Sequence, residues 1–516
     1  MRNVFSIKPA GLLGVVLVFG IGIVLRCLNY FPHSSLHFDE LTSALNIRDR
    51  SFYQLATESL DHNQVAPVGF LWLEKAATLL FGVNDLAYRF FPFVFSVLSL
   101  VLFYSISKLF LKGATRLGAL LLFAVSIAMI NYAGEAKQYS GEIAASLFLV
   151  WSALKLLQDP CKPTTLGLIA LGGSFFILCS LPAIITAPLV LTGVLVAVLK
   201  KKTALPLKPF MVVALSWALA CLLLAYHAKF VIAKEVQQAM SGYWSAGFAP
   251  LGSPGDFLLW LPQSLYREFS FFLIGWMDEY LSGLRYFPLT LLLLSVPGVF
   301  FLIQKSRLGS FILFVPLLTA LLLAVLQLLP FFGRVSIYAT WPVLIGGMAG
   351  IAALQQRLPR LYPPVMGAVT VTLICVPLLI LPLVHKEAKP PYNAQSSQPV
   401  LRALKKQMQP GDVLYVYFKA RHALHFYGPK EGITEYRIGG SYQTIEPFLR
   451  EMDSLKGCKR VWFFFTQWTP QQPFPDSIKT YLGTVIGKEI SNIPDPDGFT
   501  GQAEVAAHLY DLSVDK

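Results

Sequence analysis

Charge is scarce in this chain. Asp, Glu, Lys and Arg make up 14% of its 516 residues, while 55% are hydrophobic, against about 25% charged in ordinary soluble domains. That shortage excludes a disordered or collagen-like chain, a nucleic-acid binder, and an enzyme soluble throughout. Cysteine is also sparse. Of the six, Cys27, Cys179, Cys221 and Cys375 fall in apolar runs, Cys161 in a short polar loop, and Cys458 alone in the polar C-terminal region. With no CxxC pair and no zinc spacing, neither a disulfide framework nor a cysteine-based metal site is expected. An internal repeat and a glycine-rich nucleotide-binding loop are missing as well.

What the chain has in quantity is long apolar runs, and a mean hydropathy of +0.58 places it among integral membrane proteins. The first run, 10–27, is too long for the core of a signal peptide and no small-residue cleavage site follows it, so it reads as an uncleaved spanning helix. Further runs lie at about 87–107, 117–133, 140–157, 165–180, 183–199, 209–227, 287–303, 309–330, 337–354 and 364–384. The expected architecture is a polytopic α-helical membrane protein of about eleven spans. The stretch 67–81 is left out of that count. It is short, it carries Glu74 and Lys75 in its middle, and a helix lying at the membrane interface suits it better.

Charge gives the expected orientation. Of the net +13, residues 1–385 hold +11 and residues 386–516 hold +2. With the N-terminus cytoplasmic and the spans alternating, one side receives 15 basic residues and a single acid, Asp159, as the positive-inside rule requires. Long loops at 28–86 and 228–286 then face outward. So does a polar region at 386–516, where 412–417 and 460–465 read as strands and 399–408 as an amphipathic helix. A small α/β domain on the outer face is the expectation, joined to a membrane domain at 1–385.

Ionisable groups at the outer ends of spans are the first candidates for chemistry. Asp39-Glu40 is the strongest pair, since adjacent carboxylates outside a membrane can supply a general base and a second group that orients the acceptor or holds a metal. Basic groups gather on the same side. Arg89 and Lys137 sit at span ends, and Arg334 sits between the ninth and tenth spans. Arg and Lys there can bind an anionic group, or simply contact lipid headgroups. Tyr243 and Trp244 in the second long loop are placed to stack on a sugar or cap a cavity, and His62 to touch a phosphate. His422 and His425 have a spacing that suits a metal but lack a third ligand.

The order of these pieces carries a resemblance. Arg26-Cys27-Leu28-Asn29-Tyr30 and His37-Phe38-Asp39-Glu40 are followed by Gln64-Val65-Ala66-Pro67-Val68-Gly69-Phe70-Leu71-Trp72. Then come Leu80-Phe81-Gly82-Val83-Asn84-Asp85-Leu86-Ala87-Tyr88-Arg89 and Glu135-Ala136-Lys137-Gln138-Tyr139. The set resembles the GT-C glycosyltransferases of the protein O-mannosyltransferase and lipid A aminoarabinose transferase type, well over residues 20–160 and loosely over 230–350. The resemblance implies a GT-C-like fold and an inverting transfer of a sugar from a polyprenyl-phosphate donor to a lipid, glycan or protein hydroxyl on the outer face. It implies Asp39 as base with Glu40 supporting it. Arg89, Lys137, Tyr139, Arg334 and His62 would line the donor phosphate and sugar, and Glu135, Tyr243 and Trp244 the acceptor or cavity. The chain departs from the family at Ala66-Pro67, at Gly69-Phe70, and at Tyr139, where some relatives carry an acid. Glu135 is then the remaining carboxylate of that loop, so no metal ligand is assigned and a divalent metal stays an open alternative, with no other cofactor required. A transporter or flippase, and a glycan polymerase or ligase of another membrane fold, are the competing functions. The expected partners are the lipid-linked donor, an envelope acceptor and membrane lipids, with no nucleic acid.

Overall fold

The computed structural model describes residues 9–31, 35–158, 162–232, 242–275, 282–357, 396–466, 474–496 and 505–513. The expected eleventh span, 364–384, lies outside them. The chain divides into two compact units. The larger comprises 1–32 and 50–385, and the smaller 33–49 and 386–516. The smaller unit therefore contains the segment of 28–86 that bears Asp39 and Glu40.

In chain order the first eleven helices are α1 (Pro9–Tyr30), α2 (Phe38–Asp49), α3 (Phe52–Thr57), α4 (Val68–Phe81), α5 (Asp85–Phe110), α6 (Gly113–Val125), α7 (Ile127–Asn131), α8 (Tyr139–Gln158), α9 (Pro163–Leu178), α10 (Ala183–Leu199) and α11 (Leu207–Phe230). The larger unit ends its described part with α12 (Pro254–Ile274), α13 (Tyr286–Lys305), α14 (Arg307–Val325) and α15 (Trp341–Arg357). Seven helices among the described residues are long and apolar enough to cross a membrane, eight if α6 and α7 form one span bent by 50°. The bend has a local cause. Ser126 stops α6 and caps α7 through its side chain, while its hydroxyl donates to the Phe272 carbonyl. The helices α9 and α10 are apolar but shorter, at 16 and 17 residues. The fourteen-residue α4 packs beside α5 with Glu74 turned inward and buried.

Helix packing in the larger unit relies on missing side chains, as expected where lipid supplies no hydrophobic drive between helices. The closest approach joins α13 and α15. A Cβ on Gly298 would lie 1.9 Å from the Gly346 carbonyl oxygen, and one on Gly350 would lie 1.9 Å from that of Leu294. The pattern Gly346-Gly347-Met348-Ala349-Gly350 thus marks the face on which α13 rides.

In the smaller unit the sequence alternates helices with short strands, and the expected pieces form. The 399–408 stretch becomes α16 (Ser397–Gln407). The strands are β1 (Val413–Val416), β2 (Arg437–Ile438), β3 (Val461–Phe465), β4 (Lys488–Ile493) and β5 (Ala506–Asp511). Helices α17 (Arg421–Tyr427) and α18 (Ile445–Asp453) connect β1 to β2 and β2 to β3, and α19 (Phe474–Tyr481) follows β3. The sheet order is β2-β1-β3-β5-β4, parallel through β2, β1 and β3 and antiparallel at β5 and β4. Every residue of β3 is buried, which is why its run Val461-Trp462-Phe463-Phe464-Phe465 is apolar without alternation. Asp412 pins the start of β1, accepting from Arg460 at 2.7 and 3.2 Å, Trp462 Nε1 at 3.0 Å and the Gln409 amide at 3.0 Å. Burial pushes its carboxyl up, and these hydrogen bonds outweigh burial and hold it below the usual range.

Gly350→Val is expected to destabilise the protein by about 1–3 kcal/mol, the cost of overpacking a tight contact. Gly20→Ala, whose added carbon meets nothing within 4 Å, should be nearly silent. Thermal melts of the two variants in detergent check this, and equal melting temperatures would remove the packing role assigned to Gly350.

Candidate functional site

Two sets of candidate residues are built, one in each unit. In the smaller unit, α2 is nearly all buried from Glu40 to Ile47. Asp39 stands in its first turn and stays partly exposed, where the N-terminal end of the helix dipole favours a negative charge. Glu40 has turned back to close the helix start. It accepts from the His37 amide at 3.0 Å, and the His37 ring Nδ1 lies 2.7 Å from the same oxygen. This is the acidic half of a capping box, formed by a buried carboxylate. The helix is tied to α17 along its length. The Leu36 amide donates to the Tyr427 hydroxyl at 2.7 Å, Phe38 packs edge-on against His422, and Arg48 donates to the His425 carbonyl while lying over the Phe426 ring. Ser35 receives the Gln398 amide at the start of α16. His422 and His425, read from their spacing as a weak metal pair, thus sit on the helix that supports α2. Among the described residues no group of three His, Cys, Asp or Glu is arranged to hold a metal ion.

In the larger unit, the turn before α8 folds back on the first outer loop. Lys137 donates to the Gln64 side chain, Gln138 reaches the Val65 carbonyl at 3.4 Å, and Ser140 closes the turn by donating to the Tyr132 carbonyl at 2.6 Å. Lys137, Glu135 and Tyr139 are all buried there. His62 stands two residues before Gln64 in an exposed turn with positive φ. Two residues past Lys137, the Tyr139 ring lies 5.7 Å from the Arg334 guanidinium, which also lies 6.0 Å from the Trp244 ring. Three candidates from distant stretches of chain, Tyr139, Trp244 and Arg334, are therefore brought together, and Lys137 stands beside them in sequence. Tyr243 packs edge-on against Trp244 and is largely exposed. Arg89 is elsewhere, buried in the first turns of α5. It shares with buried Glu74 a neighbourhood around the Tyr30 hydroxyl, on which both charges act.

The loop that carries Arg334 is held by residues that sequence reasoning passed over. Buried Glu268 of α12 accepts from the Ser336 hydroxyl at 2.7 Å, from Arg267 Nε at 3.0 Å and from the Gly333 amide. Burial pushes its carboxyl up, against the pull of those donors. Arg267 also donates to the Phe331 carbonyl at 3.0 Å and lies 4.3 Å from the centre of the Phe332 ring. Gly333 adopts φ +51°, a left-handed conformation that glycine accepts readily. The Trp244 loop is fastened to the same stretch. The Phe331 amide donates to the Gly247 carbonyl at 2.8 Å, so closely that a side chain on Gly247 would strike Pro330 and Phe332. The adjacent Arg267-Glu268 pair in the middle of a mostly apolar helix was the available signal.

No protein-family model matches the chain, and no curated protein matches it by sequence. Solved structures do. The chain is similar to ArnT from Cupriavidus metallidurans in the apo state, with 12% identity over 97% of this chain and 98% of that one, at a TM-score of 0.53. For ArnT bound to undecaprenyl phosphate the figures are 13%, 97%, 98% and 0.51. The Archaeoglobus fulgidus oligosaccharyltransferase is also similar, at 12% identity over 87% of this chain and 68% of that one, with a TM-score of 0.44.

Glu268→Ala is expected to take one acceptor from each of Ser336, the Gly333 amide and Arg267, at about 1–3 kcal/mol for a group left buried without a partner. Hydrogen exchange over 331–336 should quicken in the full-length protein, and an unchanged rate would remove Glu268 as the brace of the Arg334 loop. With helices long and apolar enough to cross a membrane, a small α/β unit and a likeness to ArnT along 97% of this chain and 98% of that one, the chain has the fold of ArnT.

Proposed function

We propose that this protein is an inverting glycosyltransferase that moves one sugar from a polyprenyl-phosphate donor to a hydroxyl of an envelope lipid, glycan or protein. The observation that carries the reading is the likeness to ArnT along 97% of the chain, including a structure of ArnT bound to undecaprenyl phosphate. Its setting would be a bacterial inner membrane crossed about eleven times, N-terminus cytoplasmic, with the chemistry on the periplasmic side. The 15-to-1 segregation of basic over acidic residues on one side of the expected spans supports that orientation.

In the reaction the acceptor oxygen attacks the anomeric carbon from the face opposite the phosphate. The new C–O bond forms as the bond to the phosphate oxygen breaks, so configuration inverts and the polyprenyl phosphate leaves with the electron pair. Asp39 takes the acceptor proton, a task suited to a partly exposed carboxylate in the first turn of a helix. Glu40 supports it by holding that turn through His37. Arg334 and Lys137 take the donor phosphate and offset the charge that grows on its leaving oxygen. Tyr139 and Trp244 keep the Arg334 guanidinium in place through their ring faces. His62 adds a phosphate contact from its turn. Glu135 and Tyr243 line the approach to the acceptor, and Arg89, in the first turns of α5, balances Glu74.

The test is a transfer assay in membranes with radiolabelled polyprenyl-phosphate sugars, read by mass spectrometry of envelope glycolipids and glycoproteins. Asp39→Asn should cut transfer by a factor of about 100 or more while expression and donor binding persist; near-normal transfer would remove Asp39 as the base. Arg334→Ala should raise the donor KM by roughly 10- to 100-fold, the worth of a charge-assisted hydrogen bond. An unchanged donor KM and rate would remove the phosphate role.

A further inference from the structure

One helical turn along α8 from Tyr139, the same helix face meets the chain that follows Arg334. Tyr139, Glu142 and Ser146 stand at i, i+3 and i+7 and so share that face. Tyr139 lies against Arg334. Ser146 donates to the Tyr338 carbonyl at 2.9 Å and accepts from Trp341 Nε1 at 2.9 Å. Between these fixed points, the Glu142 carboxyl comes within electrostatic reach of the Tyr338 hydroxyl. Both side chains are buried. Neither the Tyr338 hydroxyl nor the Glu142 carboxyl has a hydrogen-bond partner among the described residues.

A buried hydroxyl left unpartnered is costly, and a buried carboxyl more so. Two of them on packed stretches of chain, one in the first turn of α8 and one in the stretch after Arg334, are explained if a ligand supplies the partners. The chemistry of the pair defines that ligand. A carboxyl accepts from hydroxyls, and a phenol both donates and accepts, which together complement neighbouring hydroxyls on a sugar ring. The order also fits, because in a sugar phosphate the ring begins one bond from the phosphate oxygen, and here the pair begins one turn from Arg334.

We propose that Glu142 and Tyr338 form the subsite that reads the hydroxyl groups of the donor sugar, an inference that rests on the glycosyl-transfer reading above. Glu142→Gln and Tyr338→Phe each remove one hydrogen-bonding function with little change of shape. In the full-length protein the donor KM should rise about tenfold for each, the size of one lost hydrogen bond to a charged or polar group. Inhibition by undecaprenyl phosphate alone, which has no sugar, should stay within about twofold of wild type. Donor KM values unchanged in both variants overturn the subsite. So does a parallel loss of donor and undecaprenyl phosphate affinity, which would make the pair a scaffold of the phosphate site. A wild-type protein that consumes no polyprenyl-phosphate sugar overturns the transfer reading, and the subsite falls with it.

Discussion

Placing a carboxylate inside an apolar helical body is tolerated only where its oxygens are met by donors. Glu268 meets that condition with a hydroxyl, a guanidinium and a backbone amide, and two of the three come from the short loop that carries Arg334. The constraint works in both directions. The loop satisfies the buried charge, and the buried charge decides the path of the loop. From that path follow the left-handed turn at Gly333, the seating of Arg267 on Phe332, and the approach of the Trp244 loop through Gly247. The guanidinium between Tyr139 and Trp244 is the end of this chain of dependence.

The same logic shapes the smaller unit with different materials. There the helix bearing Asp39 is short and buried over eight successive residues, so isolated helix propensity would not hold it. Its start is closed by Glu40 on His37 and its flank is fixed to α17 by a tyrosine hydroxyl, an arginine and an aromatic pair. A region separated from Asp39 by the whole membrane part of the sequence thus determines how that carboxylate is presented. Sequence order hides this, because the long stretch 28–86 is divided between two bodies, with 33–49 in one and its two flanks in the other.

Much of the architecture was legible in the residues. Ten of the expected apolar runs coincide with described helices, since a run of apolar residues near 20 long has few other ways to satisfy its backbone. The strands at 413–416 and 461–465 and the helix at 397–407 were legible from apolar clustering and amphipathic spacing. The run 309–330 was less so. Its helix stops at Val325, and the following turn is held by Gln327 in positive φ, donating to the Ala249 and Ala324 carbonyls. That stop depends on a partner 78 residues away, which hydropathy does not register. Glu142 and Glu268 were passed over for a related reason: a lone acid in an apolar run reads as noise until its neighbours are known.

By itself, the sequence determined that this is a multi-pass helical membrane protein with a polar α/β region, and which ionisable residues stand near the ends of its spans. Those properties are set locally, by hydropathy, run length and residue type. Tertiary structure decided which of those residues meet: Tyr139 and Trp244 with Arg334, Gln64 with Lys137, and Glu268 with Ser336. It also decided that Asp39 belongs to the body built by the C-terminal region. The physical reason is that buried polar groups are satisfied by whichever donors the packing of distant helices delivers, and that pairing is a property of the assembled core rather than of any segment.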